Sequence, residues 1–125
     1  MARVLVVEDV PAVALSIRVV LEGSGHSVAT AADGVQGLAA LADGAFDVVV
    51  TDIWMPGKGG AAVIEEGRRL APRTRYLAIT GGAPNGRITT QQLSREDFGA
   101  DRVLFKPFQR DELLEAVAAL TQPAN

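Results

Sequence analysis

The sequence predicts an α/β domain: a doubly wound, five-stranded parallel sheet with helices on both faces. Three observations lead there. Strand-like and helix-like stretches alternate from end to end with short connections. The central run Val48-Val49-Val50 is β-branched and wholly apolar, as expected of a strand buried on both faces. Finally, Glu8, Asp9, Asp52, Thr80 and Lys106 all fall where an apolar run stops. In a parallel sheet these positions emerge on one carboxyl edge, where open α/β sheets form their ligand crevice.

A chain of 125 residues is one domain's worth, enough to close a single core around a sheet. With 48% hydrophobic and 22% charged residues it has the balance of a globular protein rather than a disordered or membrane-spanning one. The net charge of -3 supplies no basic field, so direct binding to nucleic acid is not expected. The arginines are scattered, and Arg68, Arg69, Arg73 and Arg75 read as a solvated helix end and loop. The absence of cysteine excludes disulfides and thiolate metal sites. The N-terminal apolar run is cut at Glu8-Asp9, too early for a signal-peptide core or a membrane span. A cytoplasmic protein with no membrane partner is the expectation.

The elements follow in order. Val4 to Val7 form a buried strand; Asp9 is a candidate helix cap and Pro11 suits a first helical turn. Val10, Val13, Ala14, Ile17, Val20 and Leu21 recur at helical spacing until Gly23-Ser24-Gly25. His26 to Ala31 is a more polar strand near an edge, with His26 on its surface. Asp33-Gly34 opens a helix carrying Val35, Leu38, Leu41 and Ala42, stopped near Gly44. Phe46 to Thr51 is the central strand, ended by Asp52 and the Met55-Pro56 step. After the Gly57-Lys58-Gly59-Gly60 loop, Ala61, Ile64 and Leu70 line a third helix that stops before Pro72. Arg75 to Thr80 is a fourth strand. Turn formers (Gly81, Gly82, Pro84, Asn85, Gly86) crowd the next stretch, in which Leu93 to Phe98 reads as helix. Arg102 to Phe105 is a fifth strand and Gln109 to Leu120 a last amphipathic helix. Residues 1–125 thus read as one domain with no output domain, linker or repeat.

The strand-end residues define a chemistry. Carboxylates gathered at one edge repel and make one another harder to ionise. A hard divalent cation such as Mg²⁺, bound by one or two carboxylates with retained waters, offsets that repulsion, as does the ammonium of Lys106. A carboxylate so placed can act as nucleophile toward a phosphoryl group. Lysine and metal then neutralise charge on the equatorial oxygens, and the Thr80 hydroxyl can donate to one of them.

These residues carry a family resemblance. Val4-Leu5-Val6-Val7-Glu8-Asp9, Asp52-Ile53-Trp54-Met55-Pro56-Gly57 with the later Gly60, Ile79-Thr80, Gly99-Ala100-Asp101 and Phe105-Lys106-Pro107-Phe108 together resemble a response-regulator receiver domain, over essentially the whole chain. The resemblance implies strand order 2-1-3-4-5 and a cis peptide between Lys106 and Pro107. It implies that Asp52 accepts phosphate from a histidine kinase or a histidine phosphotransfer protein. Glu8 and Asp9 would hold Mg²⁺, with Asp9 and Asp52 as direct ligands and the backbone carbonyl of Trp54 as the third. Thr80 and Lys106 would read the phosphoryl group. Trp54 and Gly82, two residues after the nucleophile and two after the threonine, would set phosphate lifetime. The chain is most similar to stand-alone, chemotaxis-type members: it would be a switch that catalyses only its own phosphorylation and dephosphorylation. It would act as a monomer or weak phosphorylation-dependent dimer and signal to an unidentified protein partner through the face spanning residues 81–108.

Two departures stand out. The aromatic residue usual three positions before the lysine is replaced by Val103, which has no ring to swing inward. The stretch from Thr80 to Lys106 is about one helical turn longer than usual and begins with Gly81-Gly82. The switch is therefore expected in the Gly81–Phe98 segment, with Val103 and Pro107 flanking it, rather than in an aromatic rotamer. The rivals are weaker. A haloacid-dehalogenase-type phosphatase wants an acid where Trp54 stands. A flavodoxin-like mononucleotide binder shares the fold, but carboxylates at its strand ends would repel a phosphate that lacked a metal. Gly57-Lys58-Gly59-Gly60 lacks the ending of a P-loop. A degenerate, purely interacting receiver would not need Glu8, Asp9, Asp52, Thr80 and Lys106 together.

Overall fold

The computed structural model describes residues 1–55, 57–81 and 99–121. The elements are β1 (Arg3–Val7), α1 (Pro11–Gly23), β2 (Ser27–Ala31), α2 (Gly34–Asp43), β3 (Val48–Asp52), α3 (Gly60–Leu70), β4 (Arg75–Thr80), β5 (Arg102–Phe105) and α4 (Arg110–Thr121). All strands run parallel, as the sequence predicts, and stand in the order β2-β1-β3-β4-β5 that the resemblance implies. Lys106–Pro107 is cis, as expected. The helix expected over Leu93–Phe98, and Gly82, lie outside the described residues.

β3 sits at the centre and every one of its residues is buried, whereas β2, at an edge, is mostly half-buried or exposed. Strand alternation sends successive side chains to opposite faces, so the sheet has two cores. On one face Val4, Val6, Val48, Val50, Leu77 and Ile79 pack with Ile17 and Leu21 of α1 and Leu113 and Val117 of α4. On the other, Leu5, Val7, Val49, Tyr76 and Ala78 pack with Leu41 of α2 and Ile64 of α3. Each fully buried leucine or isoleucine contributes about 1.5–3 kcal/mol relative to exposure.

The helix faces depart from the sequence reading. Val10, Val35 and Leu70 are 46%, 63% and 53% exposed, and Ala42 and Ala61 are also exposed. The buried positions of α2 are Gly34, Gly37 and Leu41; those of α3 are Gly60, Val63, Ile64 and Gly67. The missing β-carbons are what let these helices approach. A β-carbon at Gly37 would lie 2.8 Å from Val7 Cγ2, and one at Gly67 2.6 Å from Tyr76 Oη.

The helix starts also differ from one another. Asp33 caps α2, accepting from the Gln36 backbone N–H at 2.8 Å. Asp9 does not cap α1: Val10 occupies that position with no side-chain cap, and Pro11 opens the helix. His26 lies just before β2, where its Nδ1 accepts from the Ala2 N–H at 3.1 Å, rather than on a strand surface. Burial and the nearby N-terminal amine lower its pKa. Arg68 is no solvated helix end either. Its guanidinium stacks 4.9 Å from the Tyr76 ring centroid, donates to the Gly99 carbonyl and contacts Asp101 Oδ2 at 3.1 Å.

Candidate functional site at the carboxyl edge

Parallel register brings the strand ends together. Val7 pairs with both Ala31 and Thr51, Asp52 with Ile79, and Thr80 with Phe105. The ladder bonds continue one step past the strands: Glu8 N–H donates to Ala31 O, Ile53 N–H to Ile79 O and Lys106 N–H to Thr80 O at 2.8–3.0 Å. Backbone position alone therefore fixes where Glu8, Asp52, Thr80 and Lys106 begin.

Glu8, Asp9 and Asp52 form one cluster, each offering a carboxylate oxygen, with all three oxygens within 4.8 Å of one another. Glu8 and Asp52 are buried, at 3% and 7% exposure. Lys106 Nζ stands 3.4 Å from Glu8 Oε1 and 3.5 Å from Asp52 Oδ2. Those distances are long for charge-assisted hydrogen bonds, so one ammonium is shared loosely between two carboxylates. The Val10 N–H reaches Glu8 Oε2 at 3.2 Å and the Trp54 N–H reaches Asp52 Oδ1 at 3.3 Å.

Glu8 records the strain of this crowding. Its pKa is raised from 4.5 to about 7, first by burial, then by the charge of Asp52 and a hydrogen bond with Asp9; the Val10 N–H and the Lys106 charge pull it back. The cluster is a hard, oxygen-only donor set with excess negative charge, the chemistry that suits a divalent cation such as Mg²⁺ rather than a soft metal.

The approach of α3 shapes the floor of the site. Gly60 N–H donates to Ile53 O at 3.1 Å, and a β-carbon at Gly60 would collide with the Asp52 carbonyl oxygen. The other expected residues are arranged around it. A β-carbon on Gly81 would sit 3.6 Å from Lys106 Cβ; Pro107 is exposed; Val103 is half-buried against the α2/α3 core. One contact escaped the sequence reading. The indole Nε1–H of Trp54 donates to Thr80 Oγ1 at 2.9 Å, across two strand ends. The signal was the indole itself, because a half-buried tryptophan N–H needs an acceptor.

Comparison with known proteins agrees with this geometry. The family described as response regulator receiver domain matches residues 4–118. The transcriptional regulatory protein DltR of Streptococcus agalactiae (strain NEM316) is 33% identical over 123 residues, covering 98% of this chain and 53% of DltR. TcrA of Mycobacterium tuberculosis (strain H37Rv) is 38% identical over 120 residues, covering 96% of this chain and 46% of TcrA. The chain thus spans about half the length of these curated relatives. Among solved structures, Vibrio cholerae chemotaxis protein CheY4 superposes with a TM-score of 0.83 at 29% identity, covering 96% of this chain and 98% of CheY4. Thermotoga maritima TrrA, solved in complex with Mg²⁺ and BeF, gives 0.82 at 30% identity, with 96% and 99% coverage. No helix among the described residues is long and apolar enough to cross a membrane. The chain belongs to the response regulator receiver domain family, the phospho-acceptor switches of two-component signalling.

Proposed function

We propose that Asp52 is the phospho-acceptor, and that residues 1–125 act as one switching unit. The observation that carries this is the environment of its carboxylate. It is buried at the end of the central strand, with the Trp54 N–H on one oxygen and the Lys106 ammonium 3.5 Å from the other. Donors on both oxygens hold the carboxylate in one orientation, as an attacking nucleophile requires.

In the transfer, an Asp52 oxygen forms a bond to phosphorus as the phosphorus–nitrogen bond of a phosphohistidine breaks. The imidazole nitrogen leaves with the electron pair. The donor is a histidine kinase or histidine phosphotransfer protein. Lys106 follows the charge from the carboxylate to the phosphoryl oxygens, and Thr80 donates its hydroxyl to one of them. Asp9, Asp52 and the Trp54 carbonyl, with Glu8, would hold Mg²⁺, which would supply charge neutralisation for the transferring group. The chain thereby catalyses its own phosphorylation; in dephosphorylation water attacks the phosphorus, its bond to the Asp52 oxygen breaks, and inorganic phosphate and the free carboxylate result. Trp54 and Gly82, at the family positions two after the acceptor and two after the threonine, set the lifetime. The output face spans residues 81–108 and signals to a protein partner.

The test is incubation with acetyl phosphate, with and without Mg²⁺, followed by intact mass. One phosphate equivalent is expected with the metal and none for Asp52→Asn. A full equivalent on Asp52→Asn would overturn the assignment.

A further inference from the structure

Val103 leaves the chain without a ring at the usual switch position, yet Thr80 is already bonded to a ring. Its hydroxyl oxygen accepts the Trp54 indole N–H at 2.9 Å, and Thr80 is completely buried. Strand alternation places Thr80 on the face of Tyr76 and Ala78, that of α2 and α3. Trp54 packs against this same apolar layer, as does Val103. Trp54 is also tied to the acceptor itself, because its backbone N–H binds Asp52 Oδ1 at 3.3 Å. One residue therefore touches Asp52 through its backbone and Thr80 through its side chain.

Building on the receiver reading, we infer that Trp54 is a positioning and sensing residue: its indole holds the Thr80 hydroxyl toward the α2/α3 layer until a phosphoryl group on Asp52 draws that hydroxyl away. Threonine has few χ1 wells, so a hydroxyl fixed by the indole and one turned to the phosphoryl group are discrete states. Exchange of a neutral acceptor contact for a charge-assisted one favours the second state. The indole, released from Thr80, then changes its burial against the α2/α3 layer. The first step of the signal is then the tryptophan two residues after the acceptor, upstream of the 81–108 face. This differs from a tryptophan that merely shields the phosphate from water, which would not depend on the Thr80 hydroxyl.

Trp54 is the single tryptophan of the chain, so its indole gives one N–H resonance in an ¹⁵N-labelled sample. The probe is beryllofluoride with Mg²⁺, its binding followed independently by ¹⁹F signals. In the wild type the indole resonance should shift, and its exchange with water should quicken severalfold, once beryllofluoride is bound. Thr80→Val should bind the probe with an indole shift and a change in exchange severalfold smaller than in the wild type. Trp54→Phe, which keeps a ring but has no N–H, should bind beryllofluoride severalfold more tightly, since the indole no longer competes for the hydroxyl. Bound beryllofluoride with an unmoved, slowly exchanging wild-type indole overturns the inference alone. So does an indole response in Thr80→Val equal to the wild type. Absence of any bound ¹⁹F signal in the wild type overturns the receiver reading and takes this inference with it.

Discussion

Gly60 begins α3 where a β-carbon would collide with the carbonyl oxygen of Asp52 and lie 2.8 Å from the Ile53 α-carbon. Both of those atoms are backbone and neither can swivel away. Gly60→Ala must therefore push α3 off β3 or twist the end of β3 itself. We expect a cost of about 1–3 kcal/mol in stability, typical of overpacking. Displacement of Asp52 should slow phosphorylation by acetyl phosphate about tenfold or more, because small errors in reacting geometry are expensive. Gly23→Ala is the control: its β-carbon meets nothing within 4 Å, so stability should hold or rise by up to about 1 kcal/mol. Equal rates in wild type and Gly60→Ala would contradict this account.

Asp9 and Lys106 should separate metal binding from charge relay. Asp9→Ala removes an oxygen from the cluster without touching Asp52, and should weaken Mg²⁺ affinity about tenfold or more. Lys106→Ala removes the ammonium shared by Glu8 and Asp52, which should leave Mg²⁺ affinity intact or slightly raised. Quenching of Trp54 fluorescence during Mg²⁺ titration measures both. Parallel losses of affinity in the two variants would refute the division.

Glu8 gives the metal-free protein a pH dependence of definite sign. Its pKa is 4.5 when unperturbed and about 7 in the fold. In that interval the native state keeps a proton that the unfolded chain has released. The contribution is therefore fully present below 4.5 and is lost as pH rises through about 7. The Tm of the protein in EDTA should fall across this window, and Glu8→Gln should remove that slope. Mg²⁺ affinity should rise over the same range, since binding favours the ionised cluster. An identical Tm slope in wild type and Glu8→Gln would dismiss the assignment to Glu8.

Tyr76 Oη has no hydrogen-bond partner among the described residues, and burial pushes its pKa up to about 12. A β-carbon on Gly67 would press within 2.6 Å of that oxygen and 3.0 Å of Leu41 Cδ2. Gly67→Ala should destabilise by about 1–3 kcal/mol. Tyr76→Phe should be neutral or stabilising by about 1 kcal/mol, because it removes an unsatisfied hydroxyl. The two changes touch one contact, so the double variant should recover part of the Gly67→Ala loss. Urea denaturation of all four proteins measures this, and strict additivity would remove the contact from the explanation.

The strands were readable because β-branched runs such as Val48-Val49-Val50 have little else to become, and their polar last residues mark where each leaves the sheet. The acid cluster followed directly from that. The helix faces were not readable by the same logic. Periodicity follows large apolar residues, and it pointed to Val35, Ala61 and Leu70. The true contact faces of α2 and α3 are built around Gly34, Gly37, Gly60 and Gly67, whose value lies in the absence of a side chain. The Asp9 cap failed because a strand-end carboxylate had two possible uses, and the cluster took it. The Trp54–Thr80 bond was hidden for another reason. It joins residues 26 apart in sequence, through a side chain whose direction no spacing rule fixes.

Arg68, Tyr76 and Asp101 have a consequence for how this chain can vary. The Tyr76 N–H binds Asp101 Oδ2 at 2.8 Å, Asp101 N–H donates to Tyr76 O at 2.9 Å, and Arg68 also donates to the Gly99 carbonyl. Thr80, for its part, is fixed by its pairing with Phe105. β4 and β5 are thus joined at both ends, at Tyr76–Asp101 and at Thr80–Phe105. The Arg68–Asp101 clamp lies at the amino end of β5, whereas Lys106 follows its carboxyl end. Substitutions that tighten or loosen the clamp can therefore shift the stability of the fold while the ammonium stays beside Glu8 and Asp52.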